Sequence, residues 1–208
     1  MPVQFTTREL RRTYDEIAGC FDRMEAIPER LGLRRLRRRL VRQATGRVLE
    51  VAAGTGRNFP FYPATVHLTA VDLSPGMLAI ARERARRLGR PVDLVVADAE
   101  RLPFPDRSFD TVVSTMSVCT FPDPVAALRE IGRVCRPDGQ ILLLEHGRSS
   151  VGWIGRWMDR RADRHAQVIG CYWNREPYDL ARAAGLQPLD ARRHLLGILH
   201  LMRLRPAG

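Results

Sequence analysis

The chain has no lysine, few aromatic residues and only four cysteines among its 208 residues. All 34 basic residues are arginines, and they outnumber the 23 acidic residues to give a formal net charge of +11 at pH 7. Complete replacement of lysine by arginine is typical of GC-rich codon usage, so the charge alone is weak evidence for a nucleic-acid partner. A hydrophobic content of 45% and a charged content of 27% exclude a disordered tail, a collagen-like chain and a disulfide miniature. The length fits one large domain.

The cysteines and the apolar segments lack two further patterns. Cys20, Cys119, Cys135 and Cys171 form no Cys-x-x-Cys pair and have no histidine at a matching spacing, so the spacing suggests no metal site and no redox dithiol. No uninterrupted apolar run approaches the roughly 18 residues of a spanning helix. Residues 1–16 carry charges where a signal peptide is apolar. We therefore expect reduced thiols and a cytoplasmic protein, with peripheral membrane association left open.

Helical and strand-like patterns follow one another in a recognisable order. Helical periodicity covers residues 8–24 and 29–43, and no strand signal interrupts it. Short runs rich in Val, Leu and Ile then predict strands buried on both faces at residues 47–51, 66–72, 92–97, 109–114 and 140–145. Helix patterns occupy residues 75–88, 124–135, 153–167 and 175–184, with a turn at residues 137–139 and two last strands at residues 186–193 and 198–205. Strands alternating with helices predict a parallel α/β sheet.

A small-residue turn follows the first predicted strand. That strand carries the acidic Glu50 near its end and runs into residues 51–58, which include two glycines, and small residues let a ligand touch the backbone. The ligand crevice of an open α/β sheet lies at the carboxyl ends of its strands. Asp72 ends the second strand, where nucleotide-binding sheets place an acceptor for ribose hydroxyls. A tight turn packed on a helix, with a helix cap at Ser74, is the alternative interpretation.

The third glycine of the Gly-x-Gly-x-x-Gly motif distinguishes dinucleotide-binding sites from sites for other nucleosides. Phe59 stands where Gly-x-Gly-x-x-Gly has its last glycine, which argues against NAD. The third strand then ends near Asp98, and residues 102–110 lead into the fourth strand. In this order the residues resemble class I S-adenosylmethionine-dependent methyltransferases. The similar branch contains quinone-biosynthesis C-methyltransferases, phospholipid N-methyltransferases and thiol methyltransferases, and the resemblance extends from Tyr14 to the end of the chain.

The resemblance implies a fold and a reaction. The fold would be a single Rossmann-like doubly wound α/β sheet of about seven, mostly parallel strands. Residues 1–45 would form an N-terminal helical cap on a core of residues 46–208, and a helical insertion after the fifth strand would act as a lid. The enzyme would move a methyl group from S-adenosyl-L-methionine to a small apolar or amphiphilic acceptor, leaving S-adenosyl-L-homocysteine. The acceptor would be a thiol, amine, phenol, quinol or lipid headgroup.

The resemblance also implies cofactor-binding residues. Glu50 matches the acid that orients the glycine loop and the methionine amino group, Asp72 matches the ribose-binding carboxylate, and Asp98 matches the carboxylate that receives the adenine amino group. The other implied cofactor-binding residues are Tyr14, Ala52, Gly54, Thr55, Gly56, Asn58, Leu73, Met77, Ala99, Glu100, Thr115, Met116 and Ser117. Where this chain has Ala52 and Ala53, the family usually has glycine followed by cysteine or serine. This departure affects the expected affinity for S-adenosylmethionine.

On the acceptor side, residues 170–176 resemble the Gly-Cys-x-x-x-Arg-Glu segment of the thiol methyltransferase branch. The implied substrate residues are Phe21, Cys119, His146, Trp157 and Cys171. His146 follows the fifth strand and is the candidate catalytic base, because its unperturbed pKa lies near neutrality. The alternatives are a histidine bonded to backbone, cysteines that act as small buried hydrophobes, and aromatic residues that belong to the helix core.

Two arginine-rich helical segments are relevant to the question of which partners the protein binds. Residues 29–43 and 153–161 are basic and amphipathic, which is typical of helices that lie on anionic membranes and also of solvated helices packed on a sheet. RNA methylation is an alternative function, but residues 114–117 lack the Asn/Asp-Pro-Pro-aromatic sequence that base-amino methylation would need. A non-enzymatic cofactor sensor or membrane-surface module is the third interpretation. The sequence does not indicate an oligomeric state.

Overall fold

The computed structural model describes residues 5–206, and seven strands in this range form one sheet. The strands are β1 (Arg47–Val51), β2 (His67–Asp72), β3 (Asp93–Val96), β4 (Phe109–Thr115), β5 (Cys135–His146), β6 (Gln187–His194) and β7 (Leu199–Arg205). Their order is β3-β2-β1-β4-β5-β7-β6. Strands β1 to β5 are parallel, whereas β7 runs antiparallel to both β5 and β6. The predicted fold class is confirmed.

Seven helices flank the sheet within the described range. They are α1 (Thr7–Met24), α2 (Ala26–Pro28), α3 (Arg34–Val41), α4 (Pro75–Arg87), α5 (Pro124–Val134), α6 (Gly152–Ile169) and α7 (Pro177–Ala183), with a π-helical turn at Glu29–Leu33 and a 3-10 turn at Phe59–Phe61. Helix α1 begins with a capping box between Thr6 and Glu9. No helix among residues 5–206 combines the length and the apolar character needed to cross a bilayer.

Alternate residues of β1 pack into two separate parts of the core. Leu49 lies in a cluster with Leu128 and Ile131 of α5, whereas Val48 lies in a cluster with Leu40 of α3. All five of these side chains are fully buried. Each such burial contributes roughly 1.5–3 kcal/mol relative to exposure. Both faces of the central strand are therefore covered, as its continuous apolar sequence predicts.

Three local predictions are wrong. Strand β3 is not buried on both faces, since it lies at the sheet edge and Val96 is 49% exposed. The predicted turn at residues 137–139 lies inside β5, where pairing with β4 shifts register and the extra residues form a bulge. The helix predicted at residues 29–43 is interrupted by Gly32, whose φ of 126° lies outside the helical region.

Helix α1 is fixed to the carboxyl end of the sheet by two aspartates. Asp15 accepts hydrogen bonds from the Ser74 hydroxyl at 2.5 Å and from the Gly76 amide at 2.9 Å, both at the start of α4. Asp22 accepts a hydrogen bond from the Thr55 hydroxyl at 2.7 Å. These contacts hold the helix beside the turn that follows β1. The division into a cap of residues 1–45 and a core of residues 46–208 stays a prediction.

Candidate active site

A cleft opens at the carboxyl ends of the parallel strands, where the strand order reverses around β1. Its empty volume is about 1240 Å³, which includes the open solvent at its mouth. Most residues predicted for the site line it: Tyr14, Phe21, Glu50, Ala52, Gly54, Thr55, Asn58, Asp72, Leu73, Met77, Asp98, Ala99, Thr115, Met116, Ser117, Cys119, His146 and Cys171.

Three predicted site residues lie outside the cleft. Gly56 shapes the turn instead, because a Cβ there would lie 2.5 Å from the ring of Phe59. Glu100 accepts a hydrogen bond from the backbone amide of Asp123 at 2.7 Å. Trp157 is on α6 and is 43% exposed. These residues are close in the chain to cleft residues or share a motif with them, which is why the sequence pointed to them.

The turn after β1 has a left-handed backbone at three positions. Ala52, Gly54 and Gly56 have φ values of 53°, 55° and 75°. A Cβ built on Gly54 would meet no other atom within 4 Å, so this backbone faces open cleft. Ala52 is strained, since a left-handed conformation costs a non-glycine residue roughly 1–2 kcal/mol. The departure from the family's glycine therefore falls at a position whose backbone suits glycine.

Glu50 brings a buried carboxylate to the floor of the cleft. Its Oε1 accepts a hydrogen bond from Asn58 at 2.9 Å. Its Oε2 has no hydrogen-bond partner of good geometry among the described residues, although the Tyr62 hydroxyl is close enough to lower its pKa. Burial nevertheless raises the pKa of Glu50 to about 7. Oε2 still has lone pairs that can accept a hydrogen bond from a ligand, and a cationic donor would offset the burial of the carboxylate.

Two more carboxylates, those of Asp72 and Asp98, line the cleft. Asp72 accepts hydrogen bonds from the Gly54 amide at 2.7 Å and from the Ser74 amide at 2.9 Å, which joins the glycine turn to the end of β2. Burial raises the pKa of Asp72 to about 6 despite these bonds. Asp98 accepts a hydrogen bond from the Glu100 amide at 2.9 Å. Each carboxylate has lone pairs left for a polar ligand.

A buried ion pair lies beneath the glycine turn, where the sequence predicted none. Arg37 belongs to α3 and was expected on its exposed basic face, yet it is only 5% exposed. It pairs with Glu29 at 2.7 Å and donates to the Thr115 hydroxyl at the end of β4. Arg37 shares a helical stripe with Leu33 and Leu40, and an arginine in an apolar stripe was the signal that could have identified it.

Helix α1 and the end of α6 close the mouth of the cleft. Leu10, Tyr14 and Phe21 line the cleft along one face of α1. The Tyr14 hydroxyl donates to the Ile169 carbonyl at 3.4 Å. Gly170 ends α6 with a φ of 70°, and a Cβ there would lie 2.4 Å from Leu10. This close approach brings α1 and the end of α6 together at the mouth of the cleft.

Cys119, His146 and Cys171 converge on one point of the cleft wall. Their ligand-type atoms all lie within 4.8 Å of one another, and His146 Nε2 is 3.3 Å from Cys171 Sγ. The Cys119 thiol and His146 lower the pKa of Cys171. Burial lowers the pKa of His146, but its contact with Cys171 and the nearby Glu145 outweigh burial, so the pKa is raised. The spacing of the cysteines in the sequence did not reveal this cluster.

A buried glutamate holds the loop that carries Cys119. Glu145 is fully buried at the end of β5 and accepts backbone hydrogen bonds from Ser117 at 2.9 Å and Val118 at 3.1 Å. The amide of Tyr172 donates to the carbonyl of Cys119 at 2.9 Å. The segments that carry the two cysteines are therefore joined directly through their backbones.

Comparisons with known proteins agree with this geometry. The sequence model of a family described as a methyltransferase domain matches residues 49–143. A demethylmenaquinone methyltransferase of Clavibacter sepedonicus is 30% identical over 220 residues, which cover 94% of this chain and 89% of that protein. The chain belongs to the S-adenosylmethionine-dependent methyltransferases.

Two other relatives match this methyltransferase over a smaller share of their own length. A mitochondrial methyltransferase of Saccharomyces cerevisiae is 31% identical over 210 residues, covering 91% of this chain and 45% of that protein. A phosphatidylethanolamine N-methyltransferase of Cereibacter sphaeroides is 45% identical over 103 residues, covering 49% of this chain and 51% of that protein. The chain thus spans about half the length of these two relatives.

Solved structures show the same fold. A methyltransferase from Thermotoga maritima superposes with a TM-score of 0.70, and the match covers 94% of this chain and 99% of that one. Its sequence identity is 22%, so the likeness concerns the fold alone.

Proposed function

We propose that this methyltransferase transfers the methyl group of S-adenosylmethionine to a small apolar or amphiphilic acceptor. The observation that carries the proposal is the division of the cleft into two chemically different halves. The half over β1, β2 and β3 presents the carboxylates of Glu50, Asp72 and Asp98. The half over β4 and β5 presents aromatic, aliphatic and sulfur-containing side chains, including Phe121 and Ile169, together with the polar Ser117, Thr120 and His146.

The carboxylate half suits the methyl donor. Oε2 of Glu50, whose neighbour is the Tyr62 hydroxyl, fits the donor's ammonium group, which would supply a charge-assisted hydrogen bond and a charge of opposite sign. Asp72 would accept hydrogen bonds from the ribose hydroxyls, and Asp98 would receive the adenine amino group. The open space at Gly54 leaves room for the donor's chain to touch the backbone. These assignments follow the family resemblance and match the polarity of this half.

The other half suits an apolar acceptor. Leu10, Phe21 and Ile169 cover it with apolar surface, which favours an acceptor with an apolar body, while Ser117, Thr120 and His146 offer a few polar contacts. Methyl transfer from a sulfonium is an in-line displacement, so holding the acceptor at attack distance is the main task of this half. Such positioning can supply roughly 7–11 kcal/mol of the barrier.

The test is an acceptor screen with methyl-labelled S-adenosylmethionine. We expect turnover with one class among thiols, phenols, quinols, hydrophobic amines and phosphatidylethanolamine. Phe21→Ala should lower kcat/KM for that acceptor by about tenfold through lost apolar contact, while leaving S-adenosylhomocysteine affinity unchanged. Phe61→Ala, on the 3-10 turn outside the cleft, is the matched control. Turnover confined to RNA or to a highly charged metabolite would contradict the proposal.

An amphiphilic acceptor would enter the cleft from a membrane, so the protein would need a surface that binds lipid. One group of exposed residues is suited to this role. Ile27 and Leu31 are 68% and 84% exposed. Arg34 and Arg38, which lie on α3 after the break at Gly32, are exposed as well. We propose that this group, residues 27, 31, 34 and 38, rests on anionic lipid, with its leucine and isoleucine among the headgroups and its arginines on phosphates. Arg37 takes no part, because it is buried at the cleft.

Vesicle co-sedimentation tests this surface. The variant Leu31→Gln/Arg34→Gln/Arg38→Gln should bind phosphatidylglycerol vesicles at least about tenfold more weakly than the parent, because each arginine near the surface contributes about 1 kcal/mol. Arg82→Gln/Arg129→Gln removes the same charge from exposed positions elsewhere and is the control. Equal vesicle binding by the parent and the triple variant would rule the surface out.

A further inference from the structure

We propose that Cys119, His146 and Cys171 form a Zn²⁺ site in the wall of the acceptor half, with one coordination position open to the cleft. Two sulfur atoms and an imidazole nitrogen within 4.8 Å of one another are the donor set that Zn²⁺ prefers. All three residues line the cleft. The metal would therefore face the space assigned to the acceptor.

The distances fit tetrahedral coordination with little movement. Zn–S bonds of about 2.3 Å and Zn–N bonds of about 2.0 Å place the ligand atoms of a tetrahedral site roughly 3.3–3.8 Å apart. His146 Nε2 and Cys171 Sγ are already 3.3 Å apart. The largest separation in the cluster is no more than 4.8 Å, so small side-chain rotations would complete the site.

The surroundings orient each ligand. The ring of His146 is hydrogen-bonded to the backbone of Trp173, while Nε2 points to Cys171. Zinc-binding histidines usually donate their second ring N–H to a backbone carbonyl or a carboxylate, which fixes the ring as it is fixed here. Glu145 holds the loop of Cys119 through the amides of Ser117 and Val118.

The charges near the cluster are compatible with a divalent cation. Two thiolates would neutralise Zn²⁺, and the carboxylate of Glu145 lies close to His146. The guanidinium of Arg175 is occupied by the carbonyls of Val118 and Phe121, at 2.7 and 2.8 Å. Cys119 and Cys171 are 3% and 6% exposed, so water reaches the cluster mainly from the cleft.

Three protein ligands and one open position are typical of catalytic zinc, whereas structural sites use four. The open position favours a soft donor, which selects a thiol among the acceptors; this step rests on the proposed function. A thiol that binds there loses its proton to solvent. Its sulfur then forms a bond to the methyl carbon as the methyl–sulfonium bond breaks, and that electron pair stays on the donor sulfur. A metal on Nε2 excludes the predicted role of His146 as general base.

Metal analysis of the full chain tests the site. After dialysis against Zn²⁺ in reducing buffer, we expect about one ion per chain. Cys119→Ser and Cys171→Ser should each bind Zn²⁺ at least about tenfold more weakly, whereas Cys135→Ser, a buried cysteine outside the cluster, should keep the parent affinity. Cobalt substitution should add a thiolate-to-metal charge-transfer band that Cys171→Ser loses. Absence of bound metal in the parent, or equal binding by Cys171→Ser, would overturn the inference.

Calorimetry with S-adenosylhomocysteine separates the two proposals. Variants that keep its affinity are folded, so their metal loss reports on the site itself. Addition of a thiol acceptor should shift the visible spectrum of the cobalt form, and an unchanged spectrum would rule out an open position. Acceptor turnover by a chain that binds no metal would support the proposed function and rule out the zinc site. Bound metal without turnover on any acceptor would support the zinc site and contradict the proposed function.

Discussion

Two residues that line the cleft, Ala52 and Met116, have a left-handed backbone although neither is glycine. Ala52 adopts a φ of 53° that costs a residue with a Cβ, and Met116 at the opposite wall has a φ of 59°. Strained backbone at a ligand cleft is common where the surrounding structure fixes it. At Ala52, one methyl group is the whole source of the strain.

Ala52→Gly should therefore stabilise the protein. Relief of the left-handed strain, partly offset by the greater flexibility of glycine in the unfolded chain, should raise the free energy of unfolding by up to about 1 kcal/mol. Urea denaturation measures this change. Ala53→Gly is the control, because Ala53 is buried without a positive φ and its replacement should destabilise the fold. A loss of stability in Ala52→Gly would contradict the strain argument.

Glu50 should make ligand affinity depend on pH near neutrality. Its pKa of about 7 means that the carboxylate loses its charge as the pH falls through 7. The Kd for S-adenosylhomocysteine, which keeps the ammonium group, should then rise by up to about tenfold per pH unit. Calorimetry at pH 8, 7 and 6 measures this, and Glu50→Gln should remove the dependence in this range. A parent Kd that stays constant from pH 8 to pH 6 would refute the role.

The same raised pKa has the opposite effect on folding without ligand. A buried carboxyl whose folded pKa exceeds its unfolded value stabilises the fold below the unfolded pKa. That contribution is lost as the pH rises through about 7. Ligand affinity and the stability of the free protein should therefore change in opposite directions over this range.

Among the helices, α1 has the closest connection to the cleft. Asp22 pairs with Arg57 at 3.0 Å and with Arg84, in addition to its bond with Thr55. One carboxylate thus joins α1 to the glycine turn and to α4. Helix α1 also contributes Leu10, Tyr14 and Phe21 to the lining of the cleft, so its position affects the shape of the cleft.

Asp22→Ala should loosen this helix. The variant loses the Thr55 hydrogen bond and leaves two arginines without their carboxylate, which should lower the free energy of unfolding by about 1–2 kcal/mol after allowance for solvent screening. It should also weaken S-adenosylhomocysteine binding. Glu16→Ala on the same helix removes only an exposed pair with Arg12 and should change stability by less than about 0.5 kcal/mol. Equal effects of the two substitutions in urea denaturation would show that Asp22 does not anchor α1.

For the molecule as a whole, ligand binding should appear as thermal stabilisation. S-adenosylhomocysteine at about a hundredfold over its Kd adds roughly 2.7 kcal/mol, which for a chain of this size raises Tm by roughly 5–10 °C. NAD should give no shift, because Phe59 occupies the position of the third glycine that a dinucleotide site requires. Differential scanning fluorimetry compares the two ligands. A shift with NAD and none with S-adenosylhomocysteine would contradict the assignment of the carboxylate half.

The sequence by itself determined the sheet, its parallel core and the carboxyl end of the strands as the place where the cleft opens. Continuous apolar runs separated by helical periods specify strands covered on both faces, and this pattern is local. The small-residue turn after β1 and the carboxylates near the ends of β1, β2 and β3 are also local, so residue order alone is enough to assign them to one sheet edge. The exposure of edge strand β3 and the bulge in β5 were not predicted, because neighbours distant in the chain decide exposure and register.

Only the tertiary structure decided which side chains meet across the cleft. Amphipathic periodicity places Arg37 on α3 but does not say that Glu29 and Thr115 would satisfy its charge in the interior. Cys171 lies 25 residues from His146 in the chain, and each stands on a different segment. Their meeting with Cys119 depends on the parallel pairing of β4 and β5 and on the left-handed end of α6. No short-range pattern records such contacts, because they arise from the packing of whole elements.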